Sequence, residues 1–375
     1  MPAPNIPATM DEVTPEWLTA ALRSSGVLKE ASVVAAPRIQ IGAGVGILGE
    51  LARVTLAYDR PEPGAPKTLI AKIPTADPAG RHIANILGYY EREVRYYLQV
   101  GPRNVVGTPA CYYGDMDPEN VLFIVLLEDL CDIRIGDQLA GCTAEDACLV
   151  VNELAKLHAR WWTSPDLAEL DWIPPANSPM LKLAQGTFLD AVDGFMAKLG
   201  HLLTPEQQEI ARKLGPRMNA MQDEFCTGPQ TMLHADVRLD NIFFGASHSA
   251  SPMTLIDWQI LVKGRGPYDV GYFLSQSIDP AERRAIEEPA LRDYHRVLAE
   301  NGVQGYSWEQ CWGDYRLATL FCLAYPVISA GSIDLANERG VALVTAMAIR
   351  SITAITDLNC AELLDRFAPS EVASA

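Results

Sequence analysis

The chain of 375 residues is long enough for two domains, because a single hydrophobic core usually stops growing below this size. Hydrophobic residues make up 49% of the sequence and charged residues 21%, which is typical of a globular protein and excludes an intrinsically disordered one. The formal net charge of −17 argues against nucleic acid or an anionic membrane surface as a partner.

The cysteines and the N-terminal segment predict a cytoplasmic protein. The eight cysteines are scattered without a C-x-x-C pair, which favours buried free thiols over a disulfide framework or a zinc site. Residues 1–11 lack the basic and apolar segments of a secretory signal, so we expect none. The sequence has no uninterrupted apolar run near the ~20 residues that cross a bilayer, and we expect no membrane partner.

The first 130 residues have the pattern of an antiparallel sheet with one inserted helix. Apolar or alternating segments bounded by Gly and Pro predict strands at 33–41, 50–58, 68–73, 105–113 and 121–127. The segment 83–98 has the helical period instead, with one apolar face made of Ile83, Ile86, Leu87, Tyr90, Val94 and Tyr97. Helical patterns dominate afterwards, so we expect an α+β fold with one unit over 1–130 and a mainly helical unit over 131–375.

A glycine-rich stretch follows the first predicted strand. It contains Gly42, Gly44, Gly46 and Gly49, and the last three form a G-x-G-x-x-G pattern. This pattern also fits a dinucleotide-binding fingerprint, but that site requires a helix directly after the glycines. Because a strand follows here, the stretch favours a hairpin whose backbone N–H groups fold over nucleotide phosphates. An ordinary glycine-rich turn is the alternative.

A single lysine, Lys72, lies in the otherwise apolar strand 68–73. A buried ammonium group needs an anionic partner, and nucleotide phosphates together with a helix glutamate would supply one. The alternative is a lysine on an edge strand that points into water. The helix 83–98 offers Glu91 and Glu93, which both lie at borders of its apolar face, so the helical period does not choose between them.

The strongest functional signal lies in residues 231–259, which read as strand, loop, strand, turn and strand. The spacing from Asp236 to Asn241, followed by Asp257 at the end of the next strand, matches the pattern of phosphoryl-transfer enzymes. Asp236 would orient an attacking hydroxyl group, whereas Asn241 and Asp257 are oxygen ligands suited to Mg²⁺. Arg238 would place a cation near the transferred phosphoryl group.

Three further polar residues are interpreted as structural. His234 is expected to brace the loop by hydrogen bonding, since a metal site there would lack a second histidine at ligand spacing. Asp269 is expected to hold the same loop through backbone hydrogen bonds. His158 lies on a predicted helix that begins near Thr143, where a packed and hydrogen-bonded histidine is the usual case.

With these motifs, the chain resembles the small-molecule kinases of the aminoglycoside phosphotransferase and choline kinase family, which share the protein-kinase fold. The resemblance covers roughly residues 30–350. It implies a two-lobed fold, ATP and Mg²⁺ as cofactors, and transfer of the γ-phosphoryl group to a hydroxyl of a small molecule. The glycine stretch, the Leu-Glu-Asp-Leu segment and the Asp-Trp-Gln sequence resemble the ecdysteroid-kinase-like branch most.

The resemblance also assigns residues that the patterns leave open. The family's helix glutamate stands before Val-x-Tyr-Tyr, which selects Glu93 as the partner of Lys72. It makes Glu128, Asp129 and Leu130 the hinge whose backbone would hold the adenine. The chain departs from the family at two places, with Ala235 where Gly is frequent between His and Asp, and with Trp258-Gln259 where protein kinases have Phe-Gly.

The acceptor for the phosphoryl group is expected to bind between residues 180–225 and the helices after 281. Candidate contacts are apolar or acidic, and residues of these kinds are more often core or solvated surface than ligand contacts: Trp161, Trp162, Phe188, Phe195, Asp190 and Asp193. The sequence does not choose between a hydrophobic alcohol and a polyamine-like acceptor, and it makes no prediction about oligomeric state. A catalytically silent nucleotide-binding regulator of the same fold is the alternative function, and a nicotinamide-dependent oxidoreductase is a third.

Overall fold

The computed structural model describes residues 3–42, 48–245, 250–332 and 337–370. The chain separates into two compact units, which we call the sheet unit and the helical unit. The sheet unit contains Met1–Ile133, Ala246–Ala250 and Thr254–Ile260. The helical unit contains Arg134–Gly245, Ser251–Met253 and Leu261–Ala375.

The sheet unit is built on an antiparallel sheet of five strands in the order β2-β3-β5-β7-β6, with β1 and β4 paired separately. Its strands are β1 (Val33–Ala35), β2 (Arg38–Ile41), β3 (Gly49–Thr55), β4 (Ala57–Tyr58), β5 (Thr68–Pro74), β6 (Cys111–Asp117) and β7 (Leu122–Glu128). Its helices are α1 (Pro15–Ser24), α2 (Pro78–Ile86) and α3 (Tyr89–Arg95), and a π-helical turn, Tyr96–Val100, continues α3.

Three predicted elements of the sheet unit differ from the structure. The predicted strand 33–41 is two strands, because Pro37 lacks the N–H group that a continuous ladder needs. The predicted strand 105–113 begins only at Cys111 and continues to Asp117. The predicted single helix 83–98 is interrupted at Gly88, whose φ of 68° is left-handed, so α2 and α3 have different axes.

The interruption at Gly88 changes which side chains of the predicted apolar face are buried. Tyr90 and Val94 of α3 are buried, as the helical period predicts. Ile83 and Ile86 of α2, in contrast, are 50% and 41% exposed, so the prediction of one continuous buried face was wrong. A left-handed residue within a helical pattern rotates the two halves relative to each other, and the period alone cannot reveal this.

One face of the five-stranded sheet is covered by α1. Thr14 caps this helix by accepting a hydrogen bond from the backbone of Trp17. The core on this face combines residues from α1 and the central strands: Leu18, Leu22, Val54, Leu69, Ala71, Ile73, Ile124 and Leu126. Because side chains alternate along a strand, Lys72 lies on the opposite face from its neighbours Ala71 and Ile73.

The helical unit consists mainly of packed helices, with short strands on either side of the loop 234–241. The strands are β8 (Arg134–Ile135), β9 (Thr231–Leu233), β10 (Ile242–Phe244) and β12 (Val262–Gly264), of which β8 pairs with β10 and β9 with β12. A further strand, β11 (Met253–Leu255), has Met253 in the helical unit and its other two residues in the sheet unit. The helices are α4 (Ala144–Trp161), α5 (Pro165–Glu169), α6 (Pro179–Lys182), α7 (Ala184–Leu199), α8 (Pro205–Leu214), α9 (Met218–Phe225), α10 (Pro267–Gln276), α11 (Pro280–Glu300), α12 (Trp308–Phe321), α13 (Ala324–Ser332) and α14 (Glu338–Asp357).

The centre of the helical unit is α10, whose ten residues are all buried. It packs against α12 and α14, while α4 packs against α11 and α7 against α13. The approach of α10 to α12 depends on Gly271, because a Cβ atom there would lie 2.7 Å from Ala318 Cβ. This close packing fixes the position of α10, which follows the loop 234–241 and β12 in the chain.

One of the described helices, α14, is long and apolar enough to cross a membrane by length and composition alone, with a window of mean hydropathy 1.3. A core helix of a globular protein passes the same test. Val344, Met347 and Ile352 of α14 are buried, and Arg350 donates hydrogen bonds to the backbone oxygens of Gln138 and Leu139. These contacts join α14 to the rest of the helical unit.

The segment Thr254–Ile260 belongs to the sheet unit, although the sequence-based division at residue 130 placed it in the second unit. Its backbone is held there because Leu255 N donates a hydrogen bond to Gly107 O at 2.9 Å. Trp258, in the same segment, stacks on Tyr96. The division into 1–130 and 131–375 as functional lobes stays a prediction.

Candidate active site

The sheet unit contains a buried cluster of one lysine and two carboxylates. Lys72 Nζ lies 2.8 Å from the Glu93 carboxylate and 3.0 Å from Asp257 Oδ1. Burial alone would lower the pKa of Lys72, but Asp257 and Glu93 outweigh burial and raise this pKa above its ordinary value. Burial also raises the pKa of Glu93, against the opposing charge of Lys72. The lysine is therefore a fixed cation between two acids.

The structure distinguishes the two glutamates that the helical period leaves open. Glu93 of α3 is 1% exposed and contacts Lys72. Glu91 is 43% exposed and pairs with Arg95 at 2.8 Å, one turn further along the helix. Only Glu93 is therefore placed to neutralise a buried cation, and its role in nucleotide binding stays a prediction.

The last glycine of the stretch, Gly49, lies next to the buried lysine of this cluster. Gly49 begins β3 next to Lys72, and a Cβ atom at Gly49 would lie 3.1 Å from Lys72 Cε and 3.2 Å from Ile73 O. Any larger residue at this position would push against the lysine side chain. Gly42, at the other end, has a left-handed φ of 68°. Gly44 and Gly46 lie outside the described residues.

The predicted hinge begins at the last residue of β7, Glu128, and is hydrogen-bonded in several places. Glu128 N donates to Ala110 O at 2.8 Å, and the Glu128 carboxylate accepts from Ala110 N at 3.1 Å. Arg53 donates two hydrogen bonds to the Asp129 carboxylate, at 2.8 and 3.2 Å. Leu130 is buried. The side chains of this segment thus stabilise the segment itself, and binding of adenine by its backbone stays a prediction.

In the helical unit, the loop between β9 and β10 presents Asp236. Its carboxylate accepts a hydrogen bond from Tyr272 on Oδ1 at 2.8 Å and one from Asn241 Nδ2 on Oδ2 at 3.0 Å. The guanidinium of Arg238 is at 3.8 Å from Oδ2. The Asp236 side chain is 19% exposed, so the carboxylate is held in place and is still partly open to solvent.

The backbone at the start of the same loop is held by the buried carboxylate of Asp269. This carboxylate accepts hydrogen bonds from His234 N at 2.8 Å and Ala235 N at 2.9 Å. His158 Nε2 lies 3.2 Å from Asp269 Oδ2, and its Nδ1 lies 2.8 Å from the hydroxyl of Tyr294. The loop-holding contacts expected for Asp269 and the packed, hydrogen-bonded state expected for His158 are both present.

The residues after Asp257 are fixed by aromatic packing. The indole of Trp258 stacks on the ring of Tyr96, with centroids 3.9 Å apart and planes at 9°. Its Nε1 donates to Leu255 O, and the Tyr96 hydroxyl accepts from Asn104. The π-helical turn brings Tyr96 to this place directly after α3, so the helix that carries Glu93 also carries the support for Asp257.

Comparison with known proteins identifies the family. The model of the ecdysteroid kinase-like family matches residues 44–304, which is more than half of the chain. The chain belongs to this family. The matched region includes Lys72, Glu93, the loop of Asp236 and Asp257, so the resemblance inferred from the sequence motifs is confirmed. The chain has no significant match among curated proteins.

Solved structures confirm the kinase-like α+β fold of this family member. A protein of Ralstonia eutropha JMP134, assigned as an aminoglycoside phosphotransferase, is 15% identical with a TM-score of 0.52, over 92% of this chain and 97% of its own. Choline kinase from Cryptosporidium parvum Iowa II is 11% identical with a TM-score of 0.51, over 88% of this chain and 90% of its own. At these identities the similarity concerns the fold.

The structure corrects the expected acceptor contacts of this kinase-like chain. Trp161, Phe188 and Phe195 are fully buried core residues and offer no surface to a ligand. Trp162 packs on Tyr306. The acidic candidates, Asp190 and Asp193, are exposed, and Asp193 pairs with Arg212 at 3.3 Å. Apolar side chains at helical spacing formed the core here, as they usually do.

Two tyrosines of the site were missed by the sequence reasoning. Tyr272 bonds to the Asp236 carboxylate, and the Tyr325 hydroxyl donates to Ala235 O at 2.8 Å. Both lie in helices that are distant from the loop in the sequence. An aromatic residue in such a helix usually indicates core packing. The one available signal is that Tyr272 stands three residues after Asp269, on the same helix, α10.

Proposed function

We propose that this protein is an ATP- and Mg²⁺-dependent phosphotransferase that transfers the γ-phosphoryl group to a hydroxyl of a small molecule. The observation that supports this most strongly is the lysine shared between Glu93 and Asp257. Phosphoryl transfer in this fold requires a lysine paired with a helix glutamate, and a carboxylate for the metal ion. Burying charged groups costs stability, so a buried lysine paired with two carboxylates in a sheet favours a functional role over a purely structural one.

The chemistry of the side chains fits the proposed cofactors. Asp257 supplies a carboxylate that is 22% exposed, and Asn241 uses its amide nitrogen to hold Asp236, which leaves the amide oxygen as its cation-binding atom. Mg²⁺, when bound, would neutralise charge that develops on the phosphates. Lys72 would bind the phosphates, with Gly42, Gly44, Gly46 and Gly49 covering them and Glu128, Asp129 and Leu130 beside the base.

In this proposal Asp236 orients the acceptor hydroxyl, and Arg238 adds positive charge near the transferred group. The acceptor is a small hydroxylated molecule, and the reaction takes place in the cytoplasm. The net charge of −17 makes nucleic acid an unfavourable partner.

The proposal is tested by incubating the protein with a metabolite extract and γ-labelled ATP, with phosphorylated products read by mass. Asp236→Asn should lower turnover by at least about 100-fold while the dissociation constant for ATP·Mg²⁺ stays within about twofold. Asp240→Asn is the matched control, because Asp240 lies in the same loop and accepts from Gln138 N through an oxygen that Asn retains. It should keep most of the turnover.

The outcomes separate the alternatives. Wild-type turnover retained by Asp236→Asn would show that the assigned mechanism is wrong. Binding of ATP·Mg²⁺ without turnover on any hydroxylated pool would favour a silent nucleotide-binding regulator. Thermal stabilisation by NAD and not by ATP·Mg²⁺ would favour an oxidoreductase.

A further inference from the structure

Tyr272 makes a contact that the proposed reaction does not by itself require. It lies on α10, is 1% exposed, and donates its hydroxyl proton to Asp236 Oδ1 at 2.8 Å. The other oxygen of this carboxylate accepts from Asn241 at 3.0 Å. Two donors on different oxygens fix the plane of the carboxylate, whereas one donor would leave it free to rotate about its bond to Cβ.

The tyrosine is itself held firmly. Its ring meets the ring of Tyr325 edge to face, with centroids 4.5 Å apart and planes at 87°. Gly271, the preceding residue, lets α10 lie directly against α12. The helix cannot shift without disturbing this packing, so the hydroxyl of Tyr272 is a rigid donor.

The protonation state of the tyrosine suits this role. Burial, followed by the neighbouring charge of Asp236, raises the pKa of Tyr272 well above its ordinary value. The hydroxyl group is therefore protonated near neutral pH. A protonated phenol beside a carboxylate acts as the donor of the pair.

We propose that Tyr272 is a positioning residue that orients the Asp236 carboxylate toward the acceptor hydroxyl. The inference rests on the proposed function. Orientation matters because the hydroxyl must approach the phosphorus atom in line with the leaving oxygen, and small misplacements of an orienting group are costly in rate. Each Asp236 oxygen retains a lone pair beyond those that Tyr272 and Asn241 occupy, and one of these would accept the proton of the bound alcohol.

The substitution Tyr272→Phe removes the hydroxyl and keeps the ring. The matched control is Tyr315→Phe, because the Tyr315 hydroxyl is equally buried in the helical unit and also bonds to a carboxylate, that of Glu287, but not to Asp236. Tyr272→Phe should lower kcat by about 10–100-fold, with the dissociation constant for ATP·Mg²⁺ unchanged. Tyr315→Phe should lower kcat by less than about threefold.

A double-mutant cycle separates positioning from a structural role. If Tyr272 acts through Asp236, then adding Tyr272→Phe to Asp236→Asn should lower the residual turnover by less than about twofold. Turnover is measured with the acceptor found in the metabolite extract, or as slow release of labelled phosphate from γ-labelled ATP when water is the acceptor.

Three results would overturn the inference. Normal kcat in Tyr272→Phe, in an active wild-type background, overturns this inference alone. Equal losses in the two tyrosine variants, additive with Asp236→Asn, show that both residues only stabilise the fold. Wild-type protein that binds ATP·Mg²⁺ and never transfers phosphate overturns the proposed function, and this inference with it.

Discussion

Two turns, one in each unit, have the same unusual backbone conformation and are stabilised by different means. Ala235, just before Asp236 in the helical unit, and Asp257, just before Trp258 in the sheet unit, both have a φ of 65°. Left-handed backbone costs a residue with a side chain about 1–2 kcal/mol, and neither position is glycine. Each turn must therefore be stabilised by its surroundings.

The surroundings of the two turns differ in kind. The turn at Ala235 is held by hydrogen bonds, two accepted by Asp269 and one donated by Tyr325. The turn at Asp257 is held by the stacking of Trp258 and by an ion pair with Lys72. Directional hydrogen bonds fix the backbone beside Asp236, whereas packing and charge hold Asp257. Substitutions should therefore affect the two turns in distinguishable ways.

The largest effect is expected from Lys72→Met. The change leaves the buried carboxylate of Glu93 and the partly exposed carboxylate of Asp257 without their cation, and breaking the buried pair of Lys72 and Glu93 costs about 3–5 kcal/mol. Urea unfolding without nucleotide measures the loss. The control is Glu91→Gln, whose exposed pair with Arg95 should contribute less than about 1 kcal/mol. Equal losses would contradict the buried cluster.

The second largest effect is expected from Trp258→Leu, which disrupts the packing that holds the turn at Asp257. It removes the stack on Tyr96 and the hydrogen bond to Leu255 O, and leaves a cavity, for a cost of about 2–4 kcal/mol. Tyr96→Phe serves as the control, because it keeps the stack and loses only the bond to Asn104. A Trp258→Leu protein as stable as Tyr96→Phe would show that stacking is unimportant.

The corresponding substitution at the hydrogen-bonded turn of Ala235 is Asp269→Asn. One oxygen becomes an amide group that faces a backbone N–H donor, so we expect a loss of about 2 kcal/mol in the free energy of unfolding. Hydrogen exchange should show faster opening of the amides of His234 and Ala235, with little change at Asp257. Uniform opening across the chain would contradict a local role.

The smallest effect is expected from Ala235→Gly, which sharpens the comparison without breaking a contact. Glycine relieves the left-handed strain but increases the entropy of the unfolded chain, so the free energy of unfolding should change by less than about 1 kcal/mol. Thermal and urea unfolding measure it. A loss above about 2 kcal/mol would mean that the Ala235 methyl group itself is essential.

The sequence alone revealed the candidate site residues, but not the residues that hold them in place. The spacing from Asp236 to Asn241 and on to Asp257 is local, and so is a lysine in an apolar strand, so these were found as candidates. Their catalytic and metal-binding roles stay predictions. Glu93 was selected over Glu91 by resemblance, because a helical wheel shows which residues border a face but not what lies opposite.

The supporting residues depend on contacts between distant segments, which no local pattern records. Tyr272 reaches Asp236 from 36 positions away in sequence. Tyr96 reaches Trp258 through a π-helical turn, and a pattern of regular helical period does not predict such a turn. The break at Gly88 was missed for a related reason, since one glycine within a helical pattern is usually tolerated.

The shared lysine has a consequence for how this family could change over evolutionary time. Selection for a folded protein would preserve Lys72 even where activity is no longer needed, because the buried Glu93 and the partly exposed Asp257 both pair with it. Asp236 is less protected, since its carboxylate is partly exposed and an asparagine there would retain one of its two acceptor oxygens. Under the proposed function, a descendant that abandons catalysis would therefore be expected to lose Asp236 before Lys72, which would make the lysine a poorer marker of an active enzyme than the aspartate.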